Sequence, residues 1–123
     1  MISDMQYQHN ENPLCVRSKI WLEKEGKPVL GVGRLSLLKA VDTEGSISGA
    51  AKRCSISFRR AWSYLNSAEK NFGIKLLERK KGGAGGGKSV LTPEARCLIE
   101  KFDSLLHDTE KYAFERFEDL FRG

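Results

Sequence analysis

The chain of 123 residues is poor in cysteine and histidine and has no long apolar run. Without about 18 consecutive apolar residues a membrane-spanning helix is excluded. Residues 1–10 also lack the basic start and the apolar block of a secretory signal. The three cysteines, Cys15, Cys54 and Cys97, are odd in number and widely spaced. This spacing favours neither a disulfide framework nor a zinc site, so we expect reduced, mostly buried thiols in a cytoplasmic protein.

Residues that carry out catalysis are scarce and do not cluster. His9 lies in the polar N-terminal segment and His107 lies among acidic residues, and neither has a nucleophile or a metal-ligating cluster near it. We therefore predict no catalytic residue, no metal and no cofactor. One pattern would instead indicate a nucleotide-binding protein. Gly82–Ser89 matches the phosphate-loop pattern G-x-x-x-x-G-K-[ST] letter for letter.

A nucleotide-binding loop needs more than this pattern. It requires a buried strand before the loop and a helix that opens at the Lys-Ser pair. Here the charged residues 78–81 precede the pattern, and the next helix signal comes only at Thr92. A nucleotide-binding protein therefore remains an unfavoured alternative, and the chain is not expected to be an enzyme.

The net charge of +5 is unevenly distributed along the chain. Residues 46–91 contain ten lysines and arginines but only two acidic residues, which gives this segment a charge of +8. Residues 1–45 are neutral, and residues 92–123 carry a charge of −3. A concentrated basic segment of this kind is typical of a nucleic-acid-binding surface.

The basic segment contains the pattern of a helix-turn-helix. Ser46 can cap a first helix and Ser57 a second, each by accepting a backbone N–H bond. The two helices are expected over about 47–54 and 58–72. Arg59 and Arg60 follow the second cap, where a helix N-terminus and guanidinium groups favour phosphates and guanine edges. The spacing predicts a second helix that enters the DNA major groove with its N-terminal end first.

The second helix has an inward and an outward face. Its inward residues recur at helical spacing and are Ala61, Leu65, Ala68 and Phe72. Its outward residues are mostly polar or basic and are Arg59, Arg60, Ser63, Asn66 and Lys70. Spacing alone does not place the aromatic residues Phe58, Trp62 and Tyr64. We expect Trp62 to pack inward and Phe58 to be placed to touch a thymine methyl group.

Short strands are expected on both sides of this unit. Residues 15–24 alternate and, with the turn at 25–27 and residues 28–32, predict an N-terminal β-hairpin. A helix over 33–44 follows and ends at Gly45. After the second helix, strands over 74–79 and 90–91 flank a basic, glycine-rich loop over 80–89. Strand, loop and strand directly after a recognition helix predict a wing that lies on phosphates.

Thr92 and Pro93 predict the start of a last helix that runs to about Leu120. Its apolar stripe spans roughly 40 Å, which is longer than the compact unit beside it. Because a long uncovered stripe needs a partner helix, the simplest expectation is a homodimer with two-fold symmetry. The candidate seam residues are Leu98, Phe102, Leu105, Leu106 and Tyr112.

These motifs together resemble the DNA-binding domain of the ModE family of molybdate-responsive bacterial regulators. The similar segments are 33–39, 45–48, 56–62, 77–79, 82–87 and 90–92, and the resemblance extends over about residues 16–110. The glycine-rich wing after Glu78-Arg79 and the helix start Ser57-Phe-Arg-Arg-Ala-Trp62 are its most specific parts. The pattern is also similar to the winged helix of the broader group of LysR-type regulators.

The resemblance implies a winged helix that dimerises through its flanking helices and binds a palindromic operator. It assigns base reading to Ser57, Phe58, Arg59, Arg60 and Ser63, and the wing contacts to Lys80, Lys81 and Lys88. With the neighbouring polar residues added, the candidate DNA-binding set also includes Ser46, Asn66 and Arg79. Family members continue into molybdate-binding β-barrel domains, and because this sequence ends at Gly123 we expect no molybdate binding.

The predicted fold is mainly α with small β, namely a winged helix-turn-helix with an N-terminal β-hairpin and a long C-terminal dimerisation helix. We expect a flexible arm at 1–14, the DNA-binding domain at 15–91 and the dimerisation helix at 92–123. The favoured function is a sequence-specific transcriptional regulator that binds duplex DNA as a homodimer. The alternative is a protein-interaction module that uses the C-terminal helix.

Overall fold

The computed structural model describes residues 14–80 and 87–122, and these are mainly helical with two small antiparallel hairpins. In chain order the elements are β1 (Leu22–Lys24), β2 (Lys27–Leu30), α1 (Val32–Glu44), α2 (Ile47–Arg53), α3 (Phe58–Phe72), β3 (Leu77–Lys80), β4 (Lys88–Leu91), α4 (Pro93–Phe117) and a π-helical turn (Glu118–Arg122). The order confirms the predicted winged helix-turn-helix class. Of the predicted arm at 1–14, residues 1–13 lie outside the described residues.

Two compact units make up the chain. The larger unit is Ile20–Phe102, and it contains the hairpins, α1 to α3 and the start of α4. The smaller unit combines the described residues 14–19 with 103–122.

The N-terminal hairpin is shorter than predicted. Strand β1 covers only Leu22–Lys24, and residues 15–21 form no strand, because β2 offers only four residues as backbone partners. The turn places Glu25 and Gly26 at φ of 53° and 80°. Lys24 Nζ donates a hydrogen bond of 2.7 Å to the carbonyl oxygen of Phe72. The hairpin therefore satisfies a carbonyl at the C-terminal end of α3.

The predicted helix boundaries are confirmed at the residues that cap them. Gly45 and Gly73 end α1 and α3 with a φ of 77° at each position, which favours glycine. Ser46 Oγ accepts from the Gly49 N–H at 2.9 Å, and Ser57 Oγ accepts from the Arg60 N–H at 3.1 Å. Thr92 Oγ1 accepts from the Ala95 N–H at 3.1 Å at the start of α4.

The core of the larger unit lies between the helices and the bases of the two hairpins. It includes the fully buried side chains Val29, Leu30, Leu37, Leu38, Val41, Leu65, Leu76 and Leu77. Helices α1 and α2 approach closely at Gly49, where a Cβ would lie 2.9 Å from Glu44 Cβ. The inward residues Ala61, Leu65 and Ala68 of α3 are at most 1% exposed, as predicted.

Three further contacts fix the base of the wing and the start of α4 in the larger unit. Thr92 Oγ1 donates to the Lys75 carbonyl at 2.8 Å, and the Ser89 N–H donates to the Gly45 carbonyl at 3.0 Å. Arg96 binds both carboxylate oxygens of Asp42 at 2.8 and 3.1 Å. The hydrogen bond and then the charge of Asp42 raise the pKa of the Arg96 guanidinium.

The apolar stripe of α4 is only partly uncovered, which differs from the prediction. Phe102 is 1% exposed, so the chain itself already covers it. In the smaller unit Phe117 is 6% exposed, stacks on Phe121 with ring centroids 5.1 Å apart and lies under the Arg122 guanidinium at 5.3 Å. Arg122 Nη2 also donates to the Leu14 carbonyl at 2.6 Å.

The cysteines are free, as expected, but they are not mostly buried. Cys15 and Cys97 are exposed and Cys54 is half-buried at the end of α2. The expectation of buried thiols was wrong because the spacing of cysteines says nothing about their depth. Within residues 14–80 and 87–122, no helix is long and apolar enough to cross a membrane.

Candidate nucleic-acid interface

The N-terminal end of α3 is presented to solvent by a tight turn after α2. Ser55 occupies the turn with a positive φ of 59°, which reverses the chain between the two helices. Ser57 then caps α3, so the first helical turn begins with Phe58, Arg59 and Arg60. All four residues from Ser57 to Arg60 are exposed. The helix start therefore offers free N–H groups and cations to an anion.

One face of α3 is polar, basic and exposed along its length. Opposite the buried residues lie Arg59, Ser63, Asn66 and Lys70, and all four are exposed. Arg59 makes no hydrogen bond or ion pair with any described residue, so its guanidinium is available to a ligand. The structure thus brings the predicted recognition residues Arg59, Ser63 and Asn66 onto one surface.

Arg60 is held in place by a neighbouring tyrosine. Its Nε donates a hydrogen bond of 2.8 Å to Tyr64 Oη, and its guanidinium lies 5.5 Å from the centre of the Tyr64 ring. Arg34 of α1 lies at the same distance from this ring. Tyr64 is half-buried, which limits its own motion. The contact orients Arg60 while its two terminal nitrogens remain free to form a fork.

Trp62 does not pack inward, so its predicted position was wrong. Its side chain is 44% exposed, and Phe58 one turn before it is 54% exposed. The small side chains of Ala61 and Ala68, together with Leu65, already fill the contact between α3 and the core. A large indole ring on the flank of the helix is therefore left at the surface.

The wing hairpin carries the second group of predicted cations. Strands β3 and β4 are antiparallel, and Lys80 lies opposite Lys88 in the register. Both lysines are exposed, as is Arg79, whose guanidinium lies 3.7 Å from Glu69 Oε1. The predicted wing residue Lys81 and the loop residues 82–86 lie outside the described residues.

The described part of the phosphate-loop pattern does not form the structure that nucleotide binding requires. Lys88 and Ser89 lie in strand β4, and Ser89 is 5% exposed within the hairpin. A phosphate loop would instead open a helix at this Lys-Ser pair. In the part of the chain that the structure describes, no three His, Cys, Asp or Glu residues form a group that could hold a metal ion.

Glu69 connects α3 to the wing, and the sequence pattern predicted no role for it. Its Oε2 accepts backbone N–H bonds from Leu76 at 2.9 Å and Leu77 at 3.0 Å. The side chain is only 15% exposed and also faces Arg79. Glu69 is one of only two acidic residues in the basic segment, and this rarity was the available signal.

Ser46 and the remaining cations complete the surface. Ser46 is half-buried and its hydroxyl is already used in capping α2, so it contributes a cap next to the interface. One cation of this surface is already paired: Arg53 Nη1 lies 2.9 Å from Glu44 Oε2. The exposed basic residues Lys52, Lys70 and Lys75 are paired with no described carboxylate. The larger unit therefore has a surplus of positive charge around α3 and the wing.

The candidate seam residues lie along α4 with different exposures. Leu98 and Leu106 are half-buried, whereas Leu105 is 46% and Tyr112 is 66% exposed. Leu105 and Tyr112 are seven residues apart and share one face of the helix. Phe102 is the member of the set that the chain itself buries.

In a comparison with known proteins, residues 32–96 match the family described as "bacterial regulatory helix-turn-helix protein, lysR family". The transcriptional regulator ModE of Haemophilus influenzae is 40% identical over 86 residues, which cover 70% of this chain and 33% of that protein. The DNA-binding transcriptional dual regulator ModE of Escherichia coli K12 is 41% identical over the same share of this chain and 32% of its own length.

The fold is also similar to that of the BenM DNA-binding domain in its complex with benA site 1 DNA. The TM-score is 0.52 at 24% identity, covering 68% of this chain and 88% of that chain. These similarities confirm the resemblance that the residues indicated. The chain spans about a third of the length of the ModE relatives.

Proposed function

Because the chain belongs to the lysR family of bacterial regulatory helix-turn-helix proteins, we propose that it is a transcriptional regulator that binds a specific sequence of duplex DNA. The observation that carries the proposal is the exposed start of α3. There a free Arg59 and an oriented Arg60 follow the Ser57 cap, and the same basic segment continues into the wing. This family consists of regulatory proteins rather than enzymes.

The proposed roles of α3 in base reading and of the wing in phosphate binding follow from how their side chains are held. The residues of α3 stand on a helix packed through Ala61, Leu65 and Ala68, so they can hold the geometry that base reading requires. Lys80 and Lys88 of the wing are long, exposed side chains, which suit phosphates and carry no sequence information. Glu69 positions the wing against α3.

The names of the similar proteins support this function. The ModE relatives are named transcriptional regulators, and the one from Escherichia coli is also named DNA-binding. Since the similarity covers about a third of their length, we propose DNA binding and regulation for this chain and not molybdate binding. A DNA target in a bacterial cell implies a cytoplasmic location.

The experiment that tests DNA binding is a salt titration of binding to duplexes selected from a random pool. The wild type should prefer the selected duplex over a scrambled one, and affinity for both should fall as salt rises. Replacing Lys80, Lys81 and Lys88 with Ala should lower the slope of log affinity against log salt by about 0.9 for each phosphate that these lysines neutralise. The preference between duplexes should change little.

A matched control removes the same amount of positive charge outside the basic segment. Lys101, Lys111 and Arg116 of α4 can be replaced with Ala together. We expect this variant to keep the wild-type slope in the range where it remains folded. An unchanged slope in the wing variant would show that the wing does not touch DNA, and absence of binding by the wild type would reject the function.

We also propose that the protein acts as a homodimer on a near-palindromic site. The support is the exposed apolar pair Leu105 and Tyr112 on one face of α4. A two-fold dimer would read half-sites about 34 Å apart, which is one turn of DNA.

Charge placed in this seam should separate the two copies. We expect Leu105→Glu with Tyr112→Glu to give a monomer in sedimentation at tens of micromolar, because the buried charge would be unpaired. Binding to a full site should weaken, whereas binding to a single half-site should not. Glu substitutions at the exposed polar positions Ser104 and Lys111 serve as the control. A monomeric wild type would contradict the dimer and favour a different protein as partner.

A further inference from the structure

We propose that Trp62 and Phe58 form an apolar contact for a thymine C5-methyl group in the major groove, so that they determine specificity for thymine. The observation is that both side chains stand outside the core, at 44% and 54% exposure. They are four residues apart on α3, which places them on the same flank of the helix. This inference rests on the proposed function and adds the identity of a base that α3 reads.

Their surroundings indicate which kind of partner covers these rings. Arg59 follows Phe58 in the sequence, Ser63 follows Trp62, and both lie on the exposed polar face next to the aromatic flank. The segment around them carries a charge of +8. A partner that docks on this face must be polyanionic and must also offer an apolar group within reach of the two rings.

Duplex DNA offers one such group in its major groove. Base edges there present hydrogen-bond donors and acceptors, and the C5-methyl group of thymine is the apolar exception. An exposed aromatic side chain gains from covering a methyl group because apolar surface leaves water on both sides. Arg59 and the oriented Arg60 would read neighbouring polar edges at the same time.

The two rings are rigid enough to discriminate. Each side chain has two rotatable bonds, and each stands on a helix held by buried Ala61 and Leu65. Trp62 makes no hydrogen bond with any described residue, so its ring is not committed elsewhere. Trp21, the other tryptophan, is similarly exposed at 49% but its indole donates to Glu23 at 2.8 Å on the N-terminal hairpin.

The test deletes the thymine methyl group from the DNA and first leaves the protein unchanged. In the selected duplex each thymine is replaced in turn by deoxyuridine, which deletes only the C5-methyl group. For the wild type we expect at least one position at which this change weakens binding about fourfold, the effect of one buried methyl group. At that position Trp62→Ala should bind both duplexes with equal affinity, and Phe58→Ala should show a reduced effect.

The control is Trp21→Ala, which removes an equally exposed tryptophan from the same chain. It should keep the full sensitivity to the methyl group. If no deoxyuridine substitution affects the wild type, or if Trp62→Ala keeps the sensitivity, the inference is wrong. In both cases binding to the selected duplex would persist, so the proposed function would stand.

A spectroscopic measurement covers the case in which Trp62→Ala does not fold. In Trp21→Phe protein the emission comes from Trp62 alone, and selected duplex should protect it from quenching by acrylamide. A single strand of the same sequence should protect it less. Equal protection by the single strand would indicate stacking on bases in place of methyl recognition, and no protection by either would show that Trp62 is outside the interface.

Discussion

Replacing Phe102 with Ala should lower the free energy of unfolding by about 3–5 kcal/mol. A phenylalanine that is 1% exposed loses its buried ring on truncation, and a packed core closes such a cavity only partly. Small domains are stabilised by about 5–15 kcal/mol in total, so the variant should unfold at a much lower denaturant concentration. Urea or guanidinium denaturation followed by circular dichroism measures the difference.

Phe58→Ala is the matched control because it deletes the same ring from an exposed position. Its change in unfolding free energy should stay within about 0.5 kcal/mol. Protein concentration separates the two possible roles of Phe102. If Phe102→Ala lowers the free energy of unfolding equally at all protein concentrations, Phe102 is a core residue of the single chain. If the decrease disappears at high protein concentration, Phe102 lies in a dimer seam.

Replacing Arg59 or Arg60 with Ala should reduce the preference for the selected duplex over a scrambled one. A bidentate contact with a guanine contributes about 1–3 kcal/mol of discrimination, which is roughly fivefold to more than a hundredfold. Both side chains stand in the first turn of α3, behind the Ser57 cap. Competition binding against scrambled duplex, at one salt concentration, measures this preference directly.

Tyr64→Phe tests why Arg60 would be specific. The substitution keeps the ring under the guanidinium and removes the hydroxyl that accepts from Arg60 Nε. We expect part of the Arg60 contribution to be lost, and little further loss when Arg60→Ala is added. Arg116→Ala, outside the basic segment, should leave the preference unchanged. Equal losses on selected and scrambled duplexes would make Arg59 or Arg60 a phosphate contact only.

Local signals in the sequence determined the boundaries of the helices and the surface that α3 presents. Ser46, Ser57 and Thr92 cap helices because a hydroxyl near a helix start finds a free N–H within three residues. Gly45 and Gly73 end helices because their backbone adopts a positive φ. These interactions join residues close in sequence, so no knowledge of the remaining chain was needed to predict them.

The tertiary structure alone decided which apolar residues are covered. Trp62 and Phe102 both stand at helical spacings typical of a core, yet one is 44% exposed and the other 1%. Periodicity reports the side of a helix but not what lies opposite that side. Strand β1 is likewise limited by the length of its partner, and Glu69 is committed by N–H groups seven and eight residues away. The burial of these side chains, the length of β1 and the contacts of Glu69 all depend on what another element places opposite them. The residue pattern along a single helix or strand carries no information about that neighbour.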